Sequence, residues 1–143
     1  MNKQEFIALA IAATKEGKYP AGVTVAQAAL ESAWGSSRLS LRANNYFGIK
    51  AHGDAESIEL PTTEIANGKA VKVLARFAAY TDIATCVADR ERIITQLACY
   101  QDARANASDP ELFARCLARH WATDPEYAEK LLKIYWDNNL DKI

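Results

Sequence analysis

Between Lys18 and Arg38 the chain carries one charged side chain, Glu31. Its neighbours are Ala, Val, Leu and Trp, so the stretch Thr24–Trp34 predicts a helix packed into a core. A carboxyl group in apolar surroundings loses hydration, which raises its pKa. Such a group can keep a proton near neutral pH and act as a general acid. The alternative is a glutamate at a helix end that reaches solvent or pairs with an arginine.

The predicted helix has two different sides. The i, i+3/i+4 spacing places Thr24, Gln27, Glu31 and Trp34 on one face. Small apolar residues lie toward the other side, which we expect to pack closely. One face therefore presents an amide, a carboxyl and an indole, and Gly35 is expected to end the helix directly after them.

Length and charge exclude several classes of protein. A chain of 143 residues suits one domain with a sizeable core, and we assign residues 1–143 to it. The net charge of -1 gives no electrostatic case for binding nucleic acid or an anionic membrane. No apolar run is long enough to span a bilayer. The N-terminus lacks a signal-peptide pattern, so we expect synthesis in the cytoplasm and another route for any action outside the cell.

The three cysteines, Cys86, Cys99 and Cys116, do not form a zinc pattern. Their spacing is wide, and His52 and His120 are far apart in the sequence. We interpret all three as small core residues. We expect no metal and no organic cofactor.

The other predicted elements surround this central helix. A first helix is expected over Asn2–Glu16. The region Ser57–Ala79 alternates apolar and polar residues on both sides of Asn67-Gly68, which is a strong hairpin signal. Glu64 lies near the end of the first strand.

Three helices are expected after the hairpin. The first begins at an Asp82 cap and runs to about Gln101, with Asp89–Arg92 as a solvated stripe. The second begins with Pro110 in its first turn. The last follows Thr123–Glu126. The order predicts an α+β domain, mostly α, with a cleft between the hairpin and the helical body.

Four motifs in this order carry a family resemblance. They are AQAALESAWG at Ala26–Gly35, NNYFGIK at Asn44–Lys50, TTE at Thr62–Glu64 and ATDPEYA at Ala122–Ala128. Together they resemble the glucosaminidase family of peptidoglycan hydrolases, glycoside hydrolase family 73, which includes the flagellar rod-assembly hydrolase, autolysins and phage lysins. Each motif alone is weak, but the four together are specific.

The resemblance implies a lysozyme-like fold whose helical body and small β-hairpin lobe flank a substrate cleft. It implies cleavage of the β-1,4 bond after N-acetylglucosamine in peptidoglycan. Glu31 matches the family's general acid, Glu64 its second acidic residue, and Tyr127 a tyrosine associated with catalysis. The chain departs from the family pattern at Ile65, where many relatives have Tyr, and at His120-Trp121, where many have Gly-Tyr.

The substrate-binding candidates each have a structural alternative. The candidates are Gln27, Trp34, Asn45, Phe47 and Trp121. Packing is the alternative for Trp34 and Phe47, and a structural amide is the alternative for Gln27. Trp121 is the better sugar platform because it precedes a helix start. Tyr127 could equally be a core residue of the last helix.

The predicted function is peptidoglycan hydrolysis with Glu31 as acid and Glu64 as base or electrostatic partner. The substrate's acetamido group as nucleophile is an alternative that would leave Glu64 a lesser role. A muramidase or lytic transglycosylase is the enzymatic rival, and a non-catalytic glycan-binding or assembly domain is the rival of another class. We expect a monomer that binds glycan strands in the cell wall, with a phage lysin or secreted effector as the expected origin.

Overall fold

Seven α-helices and one β-hairpin form the chain in a computed structural model that describes residues 1–143. The strands β1 (Ser57–Ala66) and β2 (Lys69–Ala78) pair antiparallel across Asn67-Gly68. The predicted α+β class, mostly α with a small hairpin, is confirmed. The helices are α1 (Lys3–Ala13), α2 (Ala21–Ser32), α3 (Arg38–Ala43), α4 (Ile83–Gln96), α5 (Gln101–Ala105), α6 (Pro110–Trp121) and α7 (Tyr127–Asp137).

Helix α2 lies at the centre of the helical body. Nine of its twelve residues are buried, and it packs against α1, α6 and α7. Gly22 lets the C-terminal segment approach closely, since a Cβ atom there would collide with the Leu140 carbonyl and lie 2.8 Å from Tyr135 Cε1. The small residues of α2 therefore allow helices to meet on nearly all of its sides.

The end of α2 differs from the prediction. The helix ends at Ser32, because Ala33 and Trp34 both take left-handed backbone conformations (φ 50° and 60°) before Gly35. Ser32 Oγ accepts the Gly35 N–H at 2.8 Å and stabilises this turn. Trp34 therefore leaves the face of Glu31, and its ring packs edge-on against Phe6 at 5.9 Å.

Helix α4 is shorter than predicted. Asp82 caps it by accepting the Thr85 N–H at 2.8 Å, as expected. It ends at Gln96 rather than Gln101, because Leu97 is extended and Arg104 Nη1 takes up the free carbonyls of Ile94 and Leu97.

A short 3-10 turn and α5 follow the end of α4. Cys99 lies in this turn and is exposed, so its prediction as a core residue is wrong. Cys86 and Cys116 are buried as predicted.

The predicted starts of the last two helices are largely correct. Asp109 caps α6 by accepting the Leu112 N–H, with Pro110 as the first helical residue. Asp124 accepts the Glu126 N–H in the turn before α7. That turn places Tyr127 in the first turn of α7 with its side chain buried.

The segment Asn44–Lys50 joins the hairpin to the helical body. Buried Asn45 donates from Nδ2 to the carbonyls of Ile49 and Ala78, at 2.8 and 2.9 Å. The Ala78 N–H in turn donates to the Ile49 carbonyl, and the backbone of Lys50 forms an isolated antiparallel β-bridge with that of Phe77. The base of the hairpin is thus bonded to the loop that follows α3. None of the helices has the length and apolar character needed to cross a bilayer.

We expect Gly22→Ala to destabilise the fold, because the added methyl group overlaps the backbone of Leu140 and the ring of Tyr135. Overpacking of this kind costs about 1–3 kcal/mol. The measurement is the free energy of unfolding in urea. A Gly22→Ala protein as stable as wild type would contradict the close approach.

Candidate active site

Glu31 is partly buried in the last turn of α2, and its two carboxyl oxygens have different surroundings. Oε1 accepts a hydrogen bond from the Tyr127 hydroxyl at 2.7 Å. Oε2 forms no hydrogen bond within the chain. It is not enclosed either, because Arg90 Nη2 is the one side-chain polar atom that is buried without a hydrogen-bond partner. Oε2 therefore reaches the surface. It faces Gly48, where an added Cβ atom would lie 3.9 Å from it.

Burial raises the pKa of Glu31 above its ordinary value of 4.5, and the Tyr127 hydrogen bond partly offsets this by lowering it. The pKa of Tyr127 is also raised, first by burial and then by the Glu31 charge and hydrogen bond. Tyr127 therefore keeps its proton and serves as a donor. The pKa of Glu31 is therefore raised in the folded protein, as its apolar neighbours in the sequence predict.

A line of hydrogen bonds runs from Glu31 into the core. Gln27 Nε2 donates to the Tyr127 hydroxyl at 3.2 Å, and Arg90 Nε donates to Gln27 Oε1 at 2.6 Å. Arg90 Nη1 also donates to Thr24 Oγ1 at 2.9 Å. Helices α2, α4 and α7 each supply part of this line, so it exists only when the three are packed together.

Arg90 is fully buried, with 0% of its surface exposed. It forms no salt bridge, its Nη2 has no hydrogen-bond partner, and its guanidinium lies 5.3 Å from the centre of the Phe47 ring. Burial lowers the pKa of Arg90 to about 10, so the group is still charged at neutral pH. A buried cation with no anionic partner is costly to the fold.

Glu64 lies on the hairpin, apart from this line. Its carboxylate pairs with Lys50 Nζ at 2.8 Å, and the two side chains are 45% and 56% exposed. Lys50 belongs to the same loop as Gly48, which faces Glu31. The loop after α3 therefore lies near Glu31 at Gly48 and contacts Glu64 through Lys50.

No group of three or more His, Cys, Asp or Glu side chains is placed to hold a metal ion. A surface cavity of about 570 Å³ lies between the end of α1 and α4 and includes Gly17, Val87 and Glu91. Neither Glu31 nor Glu64 borders it. Glu31, whose pKa is raised, therefore lies outside this cavity.

Comparison with known proteins identifies the family. The sequence profile named Glucosaminidase, described as mannosyl-glycoprotein endo-beta-N-acetylglucosaminidase, matches residues 7–140. The chain belongs to the glucosaminidase family. Its fold is also similar to the catalytic domain of the autolysin Auto from Listeria monocytogenes, with a TM-score of 0.83 at 30% identity, covering 98% of this chain and 86% of that one. The lysozyme-like fold expected for this family is confirmed.

Two curated relatives of this chain are longer proteins. It is 37% identical over 141 residues to the peptidoglycan hydrolase FlgJ of Pseudomonas aeruginosa, covering 91% of this chain and 35% of that protein. It is 30% identical over 125 residues to the exo-glucosaminidase LytG of Bacillus subtilis, covering 84% of this chain and 44% of that protein. The chain thus spans less than half the length of both relatives.

Within this glucosaminidase fold, three predicted sugar-binding side chains lie in the interior. Gln27, Asn45 and Phe47 are each at most 1% exposed. Gln27 bonds Tyr127 and Arg90, Asn45 organises the loop after α3, and Phe47 packs against the Arg90 guanidinium. Because these side chains are enclosed, each has a structural role in the interior, and a part in substrate binding stays a prediction.

The two predicted tryptophan contacts lie in different surroundings. Trp34 is partly buried against Phe6, and Lys3 Nζ lies 4.7 Å from the centre of its ring. Trp121 is partly buried, donates from Nε1 to the Phe47 carbonyl at 3.3 Å, and has its ring 6.3 Å from that of Phe47. Trp121 thus adjoins the loop that faces Glu31, and its role as a sugar platform stays a prediction.

Sequence reasoning missed Arg90 and Lys50. The stripe Asp89–Arg92 was expected to be solvated, which is wrong for Arg90. Residues Cys86, Arg90 and Ile94 follow i, i+4 spacing and are all buried, so helical periodicity could have placed Arg90 on the inner face. Nothing in the sequence pairs Lys50 with Glu64, since the contact depends on how the hairpin bends back to the loop.

We expect Glu31→Gln to raise stability near neutral pH. Because the folded pKa of Glu31 is raised, the folded state binds more protons than the unfolded state above the ordinary pKa, and its stability falls as pH rises. Removing the ionisable group removes this penalty. Thermal unfolding should show a higher midpoint than wild type at about pH 7 and little difference at about pH 3.5, where both states are protonated.

Glu59→Gln is the matched control, because it removes the same charge from an exposed position on β1. It should leave the midpoint near that of wild type. A Glu31→Gln midpoint that is lower than wild type at neutral pH would contradict a desolvated carboxylate.

Proposed function

We propose that this chain hydrolyses the β-1,4 glycosidic bond after N-acetylglucosamine in peptidoglycan, with Glu31 as the general acid. Glycan strands of peptidoglycan are then its substrate, and the cell wall is its place of action. The observation that carries the proposal is the asymmetric Glu31 carboxyl. One oxygen is held by Tyr127, and the other reaches the surface opposite Gly48.

Glycosidic cleavage needs a proton on the leaving oxygen and support for an oxocarbenium-like centre. Burial raises the pKa of Glu31, which favours the protonated form that the first task requires. Tyr127 holds Oε1, so the exposed Oε2 is the oxygen from which a proton can pass to a substrate. Membership of the glucosaminidase family supports the same role for Glu31.

Glu64 is the candidate for the second carboxylate. It lies on the solvent-exposed hairpin as an ion pair with Lys50, in surroundings unlike those of Glu31. Two carboxyls held in different environments suit an acid and a base. Glu64 would activate a water for attack on the anomeric carbon, whereas attack by the substrate's acetamido group would need less from it.

The first test is digestion of purified sacculi, with the new glycan ends identified by mass spectrometry. We expect fragments with reducing N-acetylglucosamine ends. Reducing N-acetylmuramic acid ends would indicate a muramidase, and 1,6-anhydro ends a lytic transglycosylase. Sacculus binding without any product would indicate a glycan-binding or assembly domain. Each of these last three outcomes contradicts the proposal.

Glu31→Gln should lower the rate of sacculus digestion at least about a hundredfold, since general acids contribute about 10²–10⁴-fold. The protein should stay folded, because the amide can still accept from Tyr127. Circular dichroism and sacculus binding check the fold. Glu59→Gln, on the exposed hairpin, should digest at the wild-type rate, and near wild-type turnover by Glu31→Gln would contradict its role as acid.

Glu64→Gln distinguishes the two routes of attack. If Glu64 activates water, we expect turnover to fall about a hundredfold, the usual size of a general-base contribution. A fall of about tenfold or less would favour the substrate's acetamido group as nucleophile. Unchanged turnover would make Glu64 an ordinary hairpin residue whose carboxylate only pairs with Lys50.

A further inference from the structure

Arg90 is the buried ionisable group for which neither the family motifs nor the proposed chemistry gives a role. It lies on α4, and a substrate cannot reach it, because none of its surface is exposed. Its charge has no carboxylate partner, and one of its nitrogens has no hydrogen bond. Burying a cation in this way is costly, so a benefit elsewhere is expected.

The guanidinium fixes the direction of the line of hydrogen bonds. Arginine has donors and no acceptor, so the atom of Gln27 that faces Arg90 at 2.6 Å must be the carbonyl oxygen. The amide nitrogen of Gln27 then faces the Tyr127 hydroxyl and donates to it at 3.2 Å. The amide cannot turn over without placing its N–H groups against the guanidinium.

The fixed amide determines where the Tyr127 proton points. The hydroxyl oxygen accepts from Gln27, so its own proton is free for Glu31 Oε1 at 2.7 Å. Oε1 is therefore an acceptor, and a proton on the carboxyl must sit on Oε2. Oε2 is the oxygen that reaches the surface opposite Gly48.

We propose that Arg90 is a positioning residue that orients Gln27 and Tyr127 so that the proton of Glu31 is carried on Oε2, the oxygen open to the substrate. This inference rests on the proposed function, because it gives Glu31 a proton to deliver. Without Arg90, Gln27 can rotate its amide and accept from Tyr127. Oε1 of Glu31 then loses its donor, and the carboxyl proton can sit on the enclosed side.

Few titratable groups lie around the line of hydrogen bonds. Those that act on Arg90 are Cys86 and Glu91 of α4, Tyr100 of the 3-10 turn and Tyr127 of α7. Burial raises the pKa of both Cys86 and Tyr100 to about 12, so both are neutral at assay pH. The Glu91 carboxylate accepts the N–H groups of Lys18 and Tyr19. Tyr127 is the titratable group that acts on Glu31.

Arg90→Met should change the pH profile and turnover. Loss of the Tyr127 hydrogen bond to Glu31 raises the Glu31 pKa, because that bond lowers it in the wild-type protein. The basic limb of the pH–rate profile should therefore move up by about one pH unit, the size expected for a hydrogen bond to a charged group. We expect kcat to fall about tenfold through the misplaced proton, a part of the general-acid contribution. KM should be unchanged because Arg90 does not contact substrate.

Two further variants separate orientation from packing. Thr24→Val removes the other side-chain bond of Arg90 and leaves Gln27 in place, so it should keep the wild-type pH profile. Arg90→Lys keeps a charged group that can only donate, so its basic limb should lie closer to wild type than that of Arg90→Met. If Arg90→Met does not fold, Gln27→Glu serves instead. The new carboxylate has no N–H to donate to Tyr127 and adds a negative charge. The basic limb of its pH–rate profile should therefore also lie at higher pH than that of wild type.

The Glu31 carboxyl should also be titrated directly by carbon-13 NMR, with Glu31→Gln used to assign the signal. An upward shift in Arg90→Met and none in Thr24→Val supports the inference even if the wild-type protein fails to digest sacculi. That failure would contradict the proposed function alone. Wild-type titration and turnover in Arg90→Met, or the same shift in Thr24→Val, would overturn the positioning role.

Discussion

The burial of α2 on nearly all sides is the constraint on which the other features depend. Its small residues let α1, α6, α7 and the C-terminal turn approach its backbone, with Gly22 at the tightest point. A polar side chain on such a helix must find a partner inside the protein or reach out at its end. Gln27 does the first, and Glu31 does the second with one of its two oxygens.

The partners come from helices far apart in the sequence. Tyr127 enters from the first turn of α7, where the turn around Asp124 sets the helix start. Arg90 enters from α4 and ends the line in the core. Because a buried polar group without a partner is costly, these residues hold one another in a single arrangement. The line therefore links the packing of three helices to the protonation of one carboxyl.

The loop after α3 connects this interior to the hairpin. Asn45 bonds both the loop and the end of β2, while Gly48 faces Glu31 and Lys50 pairs with Glu64. Asn45 and Phe47, two candidates for substrate binding, are buried and hold this loop in place. The motif that carries much of the family resemblance thus acts largely through structure. It places Gly48 near Glu31 and Lys50 against Glu64.

Local sequence determined the elements and the candidate acid. Asp82 and Asp109 predicted helix starts, and Asn67-Gly68 predicted the hairpin. The lone carboxyl among apolar residues indicated Glu31 as the candidate acid. These signals are local because caps, turns and periodicity depend on neighbours in the chain. Tertiary structure alone decided the hydrogen-bond partners of Arg90 and the pairing of Lys50 with Glu64. Each depends on contacts between segments distant in sequence, which no local pattern encodes.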